Sequence, residues 1–411
     1  MLRADPSTVR LVRPWVRFGS EDGHSLRGCQ CFILIAMRFV CILPLSFFVL
    51  SAAAQPANQV PPSNVDELLR GGISAQQHGD YRTAIEDYRK ALAIQPGLAE
   101  AQANLGAALA AAGQFDAAIE EDIRAMAVAP DKIAVRRNLA LAYYKKGDME
   151  HAQTEFEAVI AARPRDVKAA VLLGYTYTKL EKPALAVALL APLEQGHEAD
   201  MDFEYVLGDA MIQSGKDTAG IPRMEKAASA THSPDAYVIA GTAHMHRNEF
   251  REARADFDAA LDLSPTFPGL YTLAGQARDA MGDSDASVPA FQAALRADPK
   301  DATANLYLGV IRLKQRDFES ARPLLELALE LRPGHPLTRL ELAKLDGMTG
   351  KYAEAAATLE DLEKSDPNWL DPHIELAAIY YKLHRPEDGQ REREIVQQIE
   401  EKQQKAGPHP L

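Results

Sequence analysis

Three short stretches of the sequence carry residue types that could do chemistry, and the first is a histidine pair. "AHMHRN" supplies two imidazoles, His244 and His246. Residues two apart on a helix point to different faces, so the two side chains cannot share one metal ion. A metal site also needs further ligands, and the sequence offers none near them. We therefore expect no metal here and predict that His244 packs between helices.

The second stretch is "GDAMIQSGKDTAG" (208–220), whose Gly-Lys pair is found in phosphate-binding loops. The interval from Gly208 to Gly215 is too long for such a loop, and Asp217 follows the lysine where Ser or Thr is required. A helix rather than a strand is predicted before it. We interpret this stretch as a turn between helices. Acidic runs such as "EED" (120–122) are expected to lie solvated on helix surfaces.

The third stretch is "CQC", which contains Cys29 and Cys31. It could be a metal-binding or redox pair, or a chance pair within a segment that is later removed. The last cysteine, Cys41, also lies near the N-terminus. The chain of 411 residues has a formal net charge of −13, which disfavours nucleic acid and anionic membrane surfaces as partners.

The N-terminal region is typical of an export signal. In "MRFVCILPLSFFVLSAAAQ" (37–55), a basic Arg38 precedes an apolar run, and small alanines end at Ala54. We expect translation to start at Met37, residues 1–54 to form an over-long leader with its signal peptide, and cleavage to follow Ala54. The mature protein would be periplasmic or secreted, with no membrane span. An uncleaved signal acting as a membrane anchor is the alternative.

A polar, proline-bearing linker is predicted over residues 55–63. Ser63 followed by Asp66 resembles a capping box, which predicts a helix from about Asn64. At the other end, residues 401–411 are predicted to be a polar tail, preceded by a helix with a wet outer face. The segment between them, 64–400, is periodic.

The period is 34 residues, with one slip of one residue between the fifth and sixth units. If each unit is numbered from 1 to 34, with the first starting at Val65, positions 8 and 20 are always small. Proline occupies position 32 in seven units. Position 8 is Gly72, Gly106, Ala140, Gly174, Gly208, Gly241, Gly275, Gly309, Ala343 and Ala377; position 20 is Ala84, Ala118, Ala152, Ala186, Gly220, Ala253, Ser287, Ala321, Ala355 and Gly389.

This spacing predicts two antiparallel helices per unit. Small side chains at positions 8 and 20 let the two backbones approach closely, while aromatic residues at positions 11, 17 and 24 fill the space beside them. Glycine near position 15 allows the turn between the helices, and proline at position 32 ends the second helix. The fourth and fifth units depart from the pattern, so we expect a bend or softer joint around residues 192–234.

These positions resemble those of the tetratricopeptide repeat (TPR), and about ten repeats cover residues 64–400. The resemblance implies an all-α, right-handed superhelical solenoid of helix pairs. It also implies binding of other proteins, through extended peptides or helices held on the concave surface of the first helices. The repeats leave no room for a separate catalytic domain, so we expect no enzyme activity, cofactor or metal.

The resemblance assigns positions 2, 5, 6, 9, 12 and 13 to that surface. The third and fourth repeats are basic there, the fifth to seventh are acidic, and tyrosines lie between. In "YY" (143–144), Tyr143 is expected in the core and Tyr144 in the groove. The predicted peptide-binding residues are Asn104, Arg137, Asn138, Tyr144, Lys145, Tyr175, Lys179, Tyr205 and Asp209.

Two functional hypotheses follow. The first is a non-enzymatic scaffold that assembles a complex of the cell envelope. The second is a recognition subunit of an envelope enzyme, such as a polysaccharide synthase or glycosyltransferase, encoded on another chain. A stoichiometric enzyme partner would distinguish the second from the first.

Overall fold

The structure, a computed structural model, describes residues 64–405, and they contain twenty α-helices, one short 3-10 helix and no strand. The predicted leader (1–54), its start at Met37, the linker (55–63) and residues 406–411 lie outside the described residues. The all-helical prediction is confirmed. Residues 64–193 and 194–405 form two compact units.

The first unit consists of four helix pairs. Their bounds are α1 (Asn64–Gln77), α2 (Tyr81–Ile94), α3 (Ala99–Ala111), α4 (Phe115–Val128), α5 (Lys132–Lys146), α6 (Met149–Ala162), α7 (Val167–Lys179) and α8 (Pro183–Leu190), with a 3-10 turn at Ala191–Leu193. The described part of the first helix starts at Asn64, and the capping box at Ser63 stays a prediction. Odd-numbered helices are the first helices of their repeats and carry position 8.

The second unit holds six pairs. They are α9 (Met201–Gln213), α10 (Asp217–Thr231), α11 (Pro234–His246), α12 (Phe250–Leu263), α13 (Leu270–Ala280), α14 (Ser284–Ala297), α15 (Ala302–Lys314), α16 (Phe318–Leu331), α17 (Pro336–Met348), α18 (Tyr352–Ser365), α19 (Leu370–Lys382) and α20 (Pro386–Lys405). The Gly-Lys stretch is the turn between α9 and α10, as predicted. Helix α20 continues five residues past the boundary predicted at residue 400.

Close approach of paired helices at position 8 is confirmed. A methyl group built on Gly275 of α13 would lie 2.6 Å from Cε1 of Phe291 on α14, and one on Gly241 would lie 2.7 Å from Cε1 of Phe257. Both phenylalanines stand at position 24 and are completely buried. The aromatic ring therefore occupies the space that the missing side chain leaves.

The turn between paired helices has one backbone conformation in all ten repeats. Position 15 has a positive φ everywhere: six repeats place glycine there, and four place Glu181, Asn248, Arg316 or His384, with φ between 56° and 61°. Glycine adopts this left-handed conformation without a steric penalty, whereas a side chain there costs about 1 kcal/mol. The four non-glycine turns are therefore strained.

The slip between the fifth and sixth repeats has a local cause. His232 stands at position 32 of the fifth repeat, where seven repeats have proline, and its φ of 54° ends α10. Ser233 then caps α11 directly, because its side chain accepts the Ala236 backbone N–H. The connection is thereby shortened by one residue. The bend proposed around residues 192–234 stays a prediction.

Candidate functional site

The two tyrosines of "YY" (143–144) make different contacts, and the groove assignment of Tyr144 stays a prediction. The Tyr143 ring packs against the core of the first unit and stacks on His151, with 4.9 Å between ring centroids. Burial and the charge of Asp148 raise its pKa. The neighbouring Tyr144 instead meets Tyr175 of the next first helix, which leaves it on the surface formed by α5 and α7.

Tyr144, Tyr175 and Lys179 form what we call the aromatic cluster. The two tyrosine rings meet edge to face, with centroids 5.6 Å apart and an interplanar angle of 72°. The Nζ of Lys179 lies 4.8 Å from the centroid of the Tyr175 ring, one helical turn away on α7. Such a cation–π contact contributes about 0.5–1 kcal/mol at an exposed site. It holds the Tyr175 ring and leaves the lysine charge exposed.

Arg137 lies on the same side of α5 and contacts the start of α7. Its Nη1 is 3.9 Å from Oδ2 of Asp166, whose Oδ1 caps α7 by accepting the Ala169 N–H at 3.1 Å. The Arg137 side chain is half exposed, so this ion pair is open to exchange with a ligand carboxylate. Asn104, Asn138 and Lys145 are intermediate in exposure.

The floor of this surface is apolar. Leu141 of α5 and Leu172 of α7 are half-buried. We use the term first-helix surface for these two leucines together with the seven predicted residues of the first unit. Its chemistry is an aromatic and aliphatic strip with basic groups beside it.

Two of the predicted groove residues, Asp209 and Tyr205, contact the interior of the second unit. Asp209 is buried and accepts a hydrogen bond from Gln213 Nε2 at 2.9 Å. The Tyr205 ring packs against a core cluster in which Ala236 and Ala240 of α11 are small enough to leave room for it. Both residues belong to the second unit, so they are no part of the first-helix surface.

Asp122 contradicts the expectation that the "EED" run is solvated. Its side chain is completely buried at position 24, and neither carboxylate oxygen has a hydrogen-bond partner. Burial, with a smaller contribution from the Glu121 charge, raises the pKa of Asp122 to about 8. The side chain faces Gly106, where a methyl group would lie 2.2 Å from its Oδ1. The helical period turns this acid inward while its two neighbours stay on the surface.

His244 is buried between helices, as predicted, but it has acidic neighbours that the sequence analysis did not find. Its Nδ1 is 2.7 Å from Glu249 Oε2, and its Nε2 is 3.2 Å from Glu225 Oε1. Asp256 Oδ2 lies 3.8 Å from the same Nε2. Burial, with the Glu225 charge, raises the pKa of Asp256 to about 7. Hydrogen bonds from Arg247 and His244 lower the pKa of Glu249 to about 2.

The repeat register was the signal that could have found one of these neighbours. Position 25 of one repeat lies beside position 11 of the next, and Glu225 and His244 occupy these two positions.

Among the described residues, no helix is both long enough and apolar enough to cross a membrane.

Comparisons with known proteins match this architecture. Family models described as tetratricopeptide repeat match residues 137–201, 205–268, 272–336 and 312–379, and one described as TPR repeat matches 77–113. Protein O-mannosyl-transferase TMTC1 of Mus musculus is 30% identical over 125 residues, which are 29% of this chain. The chain spans 13% of the length of that curated relative.

Solved structures are also similar. A tetratricopeptide repeat protein from Parabacteroides merdae ATCC 43184 is 17% identical, with 60% of this chain and 97% of that chain covered and a TM-score of 0.45. MamA is 24% identical, with 41% and 93% covered and a TM-score of 0.38. YrrB, described as a TPR protein with an unusual peptide-binding site, is 21% identical, with 43% and 91% covered and a TM-score of 0.37.

Proposed function

Because the chain belongs to the tetratricopeptide repeat family, whose repeats mediate protein–protein interaction, we propose that it is a non-enzymatic scaffold that binds an extended peptide or helix on the first-helix surface. The partner is a protein segment rather than nucleic acid, since the chain is acidic overall. The site is proposed for the first unit alone, where Arg137, Tyr144, Tyr175 and Lys179 are accessible.

The aromatic cluster is the observation that carries this proposal. Tyr143 and Tyr177 already fill the interior beside α5 and α7, so the fold does not need Tyr144 and Tyr175 for its core. The two rings are instead half-buried on the first-helix surface, where a ligand could contact them. Tyr and Arg are the residue types that most often dominate binding energy at protein interfaces.

The charges around the cluster define the ligand. Lys179 and Lys168 are exposed on α7, and Arg137 is held by one weak ion pair. A peptide with an apolar or aromatic side chain for the Leu141–Leu172 floor and an acidic side chain toward Lys179 would satisfy both features. The carboxylate of the peptide would be attracted to the Lys179 ammonium. Because that ammonium stays exposed, no charge would be buried without a partner.

A peptide selection tests the proposal directly on the full chain. A displayed random-peptide library is panned against the protein, and a recovered peptide is synthesised and titrated by fluorescence anisotropy. Tyr175→Ala and Lys179→Glu should each weaken binding at least about tenfold, as for interface anchors. Lys90→Glu is the matched control, because it makes the same charge change on the exposed side of the second helix α2. If the Lys179→Glu and Lys90→Glu variants bind the peptide with equal affinity, the peptide-binding site does not lie on the first-helix surface.

We further propose that the protein acts in the periplasm or outside the cell, after removal of the segment ending at Ala54. The apolar run from Phe39 to Leu50 and the alanines after it support this. N-terminal sequencing of the protein from fractionated cells should give Gln55. Retention of Met37 in a membrane fraction would instead support the anchored form.

A recognition subunit for an envelope enzyme is the second candidate. The similarity of part of the chain to a protein O-mannosyl-transferase favours it. In this case the first-helix surface would hold a segment of a glycosyltransferase encoded on another chain. Affinity purification of the tagged protein followed by mass spectrometry should then recover one such enzyme in stoichiometric amount, and Tyr175→Ala should release it.

A further inference from the structure

A buried carboxylate oxygen without a partner marks a second candidate site, in the second unit. Asp256 on α12 is 7% exposed, and its Oδ2 has no hydrogen-bond partner. It faces His244 of α11, whose Nε2 lies 3.8 Å away. Glu225, from α10 of the preceding repeat, brings Oε1 to 3.2 Å from the same nitrogen. Three potential ligands from three helices therefore converge on one point.

The imidazole is oriented for ligation by its other nitrogen. Nδ1 lies 2.7 Å from Glu249 Oε2, and a carboxylate there only accepts, so Nδ1 carries the proton. Nε2 faces Glu225 and Asp256, and a metal ion bound at this point would replace the proton that Nε2 shares with these carboxylates. A carboxylate holding the distal ring nitrogen in this way is the usual outer-shell arrangement of metal-binding histidines.

From this geometry we propose that Glu225, His244 and Asp256 form a binding site for a divalent transition-metal ion, with Zn²⁺ as the best-matched ion. One ligand atom from each residue lies within 4.8 Å of the other two. Ligands at about 2.1 Å from a tetrahedral ion are roughly 3.4 Å apart, so only small side-chain shifts are needed. One imidazole and two carboxylates are a donor set that Zn²⁺ accepts, and water would fill the fourth position.

The ion would act as a structural clamp. It would tie α10 of the fifth repeat to both helices of the sixth, at the junction where proline is missing at position 32 and His232 ends α10 in a left-handed conformation. It would also neutralise the two carboxylates that surround the imidazole. The side chain of Glu225 is 43% exposed, which provides the path by which the ion enters.

A second histidine cluster provides an internal contrast. His373 is also buried and lies near Glu363 and Glu392. Its two ring nitrogens are both engaged, Nδ1 with Glu392 Oε2 at 2.7 Å and Nε2 with the Pro367 carbonyl at 3.2 Å. Nε2 of His373 therefore meets a backbone carbonyl, whereas Nε2 of His244 faces two carboxylates, so His373 serves as a matched control histidine.

Isothermal titration with Zn²⁺ tests the proposal on the full chain. Every sample carries Cys29→Ser, Cys31→Ser and Cys41→Ser, because these thiols could bind zinc themselves. The chelator-treated protein should take up one tight equivalent, and its melting temperature should rise. Glu225→Gln and Asp256→Asn should each weaken the affinity at least about tenfold, and Glu249→Gln should weaken it by about the same factor through the imidazole.

His373→Gln should keep the affinity unchanged. Co²⁺ in place of Zn²⁺ should give the strong visible absorption of a tetrahedral site, and Glu225→Gln should abolish it. Glu225 is partly exposed, so this variant is decisive even if Asp256→Asn misfolds. The proposal is overturned if the thiol-free chain binds no Zn²⁺, or if Glu225→Gln binds it as tightly as the parent.

Discussion

The Oη of Tyr177 donates a hydrogen bond of 3.0 Å to Oε1 of Glu157, and this bond joins the first helix of the fourth repeat to the second helix of the third. The same relationship recurs between Tyr380 and Glu360 at 2.9 Å. In both pairs the tyrosine stands at position 11 and the glutamate at position 25 of the preceding repeat. A polar contact at the edge of the core thus links successive helix pairs.

Removal of this hydroxyl measures the strength of that link. Tyr177→Phe should destabilise the first unit by about 1 kcal/mol, because one hydrogen bond to a carboxylate is lost while the ring stays packed. Burial and Glu157 raise the pKa of Tyr177 to about 12, so the hydroxyl remains a donor at any ordinary pH. Urea unfolding followed by circular dichroism measures the change.

Tyr175→Phe is the control for this measurement, since the contacts of Tyr175 in the aromatic cluster are made by its ring, which phenylalanine keeps. It should leave stability nearly unchanged. A double-mutant cycle with Glu157→Gln should recover a coupling energy for the Tyr177 pair. A cycle with zero coupling would mean that the bond contributes nothing to the junction.

Asp122 should be a weak point of the first unit at neutral and alkaline pH. Replacing it by leucine should stabilise the protein by about 2 kcal/mol at pH 7, because the buried, unpartnered carboxyl disappears. The fold already accepts leucine here: Leu325 stands at position 24 of the eighth repeat, opposite Gly309. Thermal unfolding of the two proteins measures the difference, and a lower melting temperature for Asp122→Leu would refute the assignment.

The pH dependence of this effect has a definite sign. Burial raises the pKa of Asp122 from 3.8 in the unfolded chain to about 8 in the folded protein, so the folded state holds the proton more tightly. The parent protein therefore loses stability as pH rises from about 4 to 8. The advantage of Asp122→Leu should be larger at pH 8 than at pH 5.

The repeat pattern was sufficient to predict the helix pairs, because small residues at positions 8 and 20 leave few other ways to pack two helices. The turn at position 15 was predictable only where glycine stands there. Arg316 and His384 adopt the same left-handed conformation because the flanking helices impose it, against their own preference. Local propensity alone would have missed both turns.

The candidate sites were less predictable, because they depend on side chains that deviate from the repeat. Tyr144 contacts Tyr175 on the next first helix, and its role in binding stays a prediction. The burial of Asp209 and the packing of Tyr205 against the alanines of α11 were not apparent from the repeat pattern. The acids around His244 come from two repeats: Glu225 from α10, Asp256 from α12, and Glu249 from the turn before α12. Their convergence requires the angle between neighbouring helices, which the sequence period does not contain.

Gly275 should tolerate no side chain. A methyl group there would lie 2.6 Å from Cε1 of Phe291, so Gly275→Ala should cost about 1–3 kcal/mol through overpacking. The third repeat has alanine at the same position, Ala140, opposite Phe156, and its helices are already spaced for it. Gly97→Ala is the control, because nothing lies within 4 Å of the added methyl. Equal unfolding midpoints for the two variants would contradict the close approach.

The strained turns offer the last prediction. Arg316 lies in the turn between α15 and α16 and has a φ of 61°. Arg316→Gly removes a steric penalty of about 1–2 kcal/mol from the folded state. Glycine also makes the unfolded chain more flexible, which lowers stability by up to about 1 kcal/mol and offsets part of this gain. The net gain should be about 0.5–1 kcal/mol, read from urea unfolding. The reverse change in the next repeat, Gly350→Arg at a φ of 85°, should lose a comparable amount. If Arg316→Gly raises the free energy of unfolding and Gly350→Arg lowers it, position 15 stores strain. If both variants lower it, the contacts of the Arg316 side chain outweigh the strain at that position.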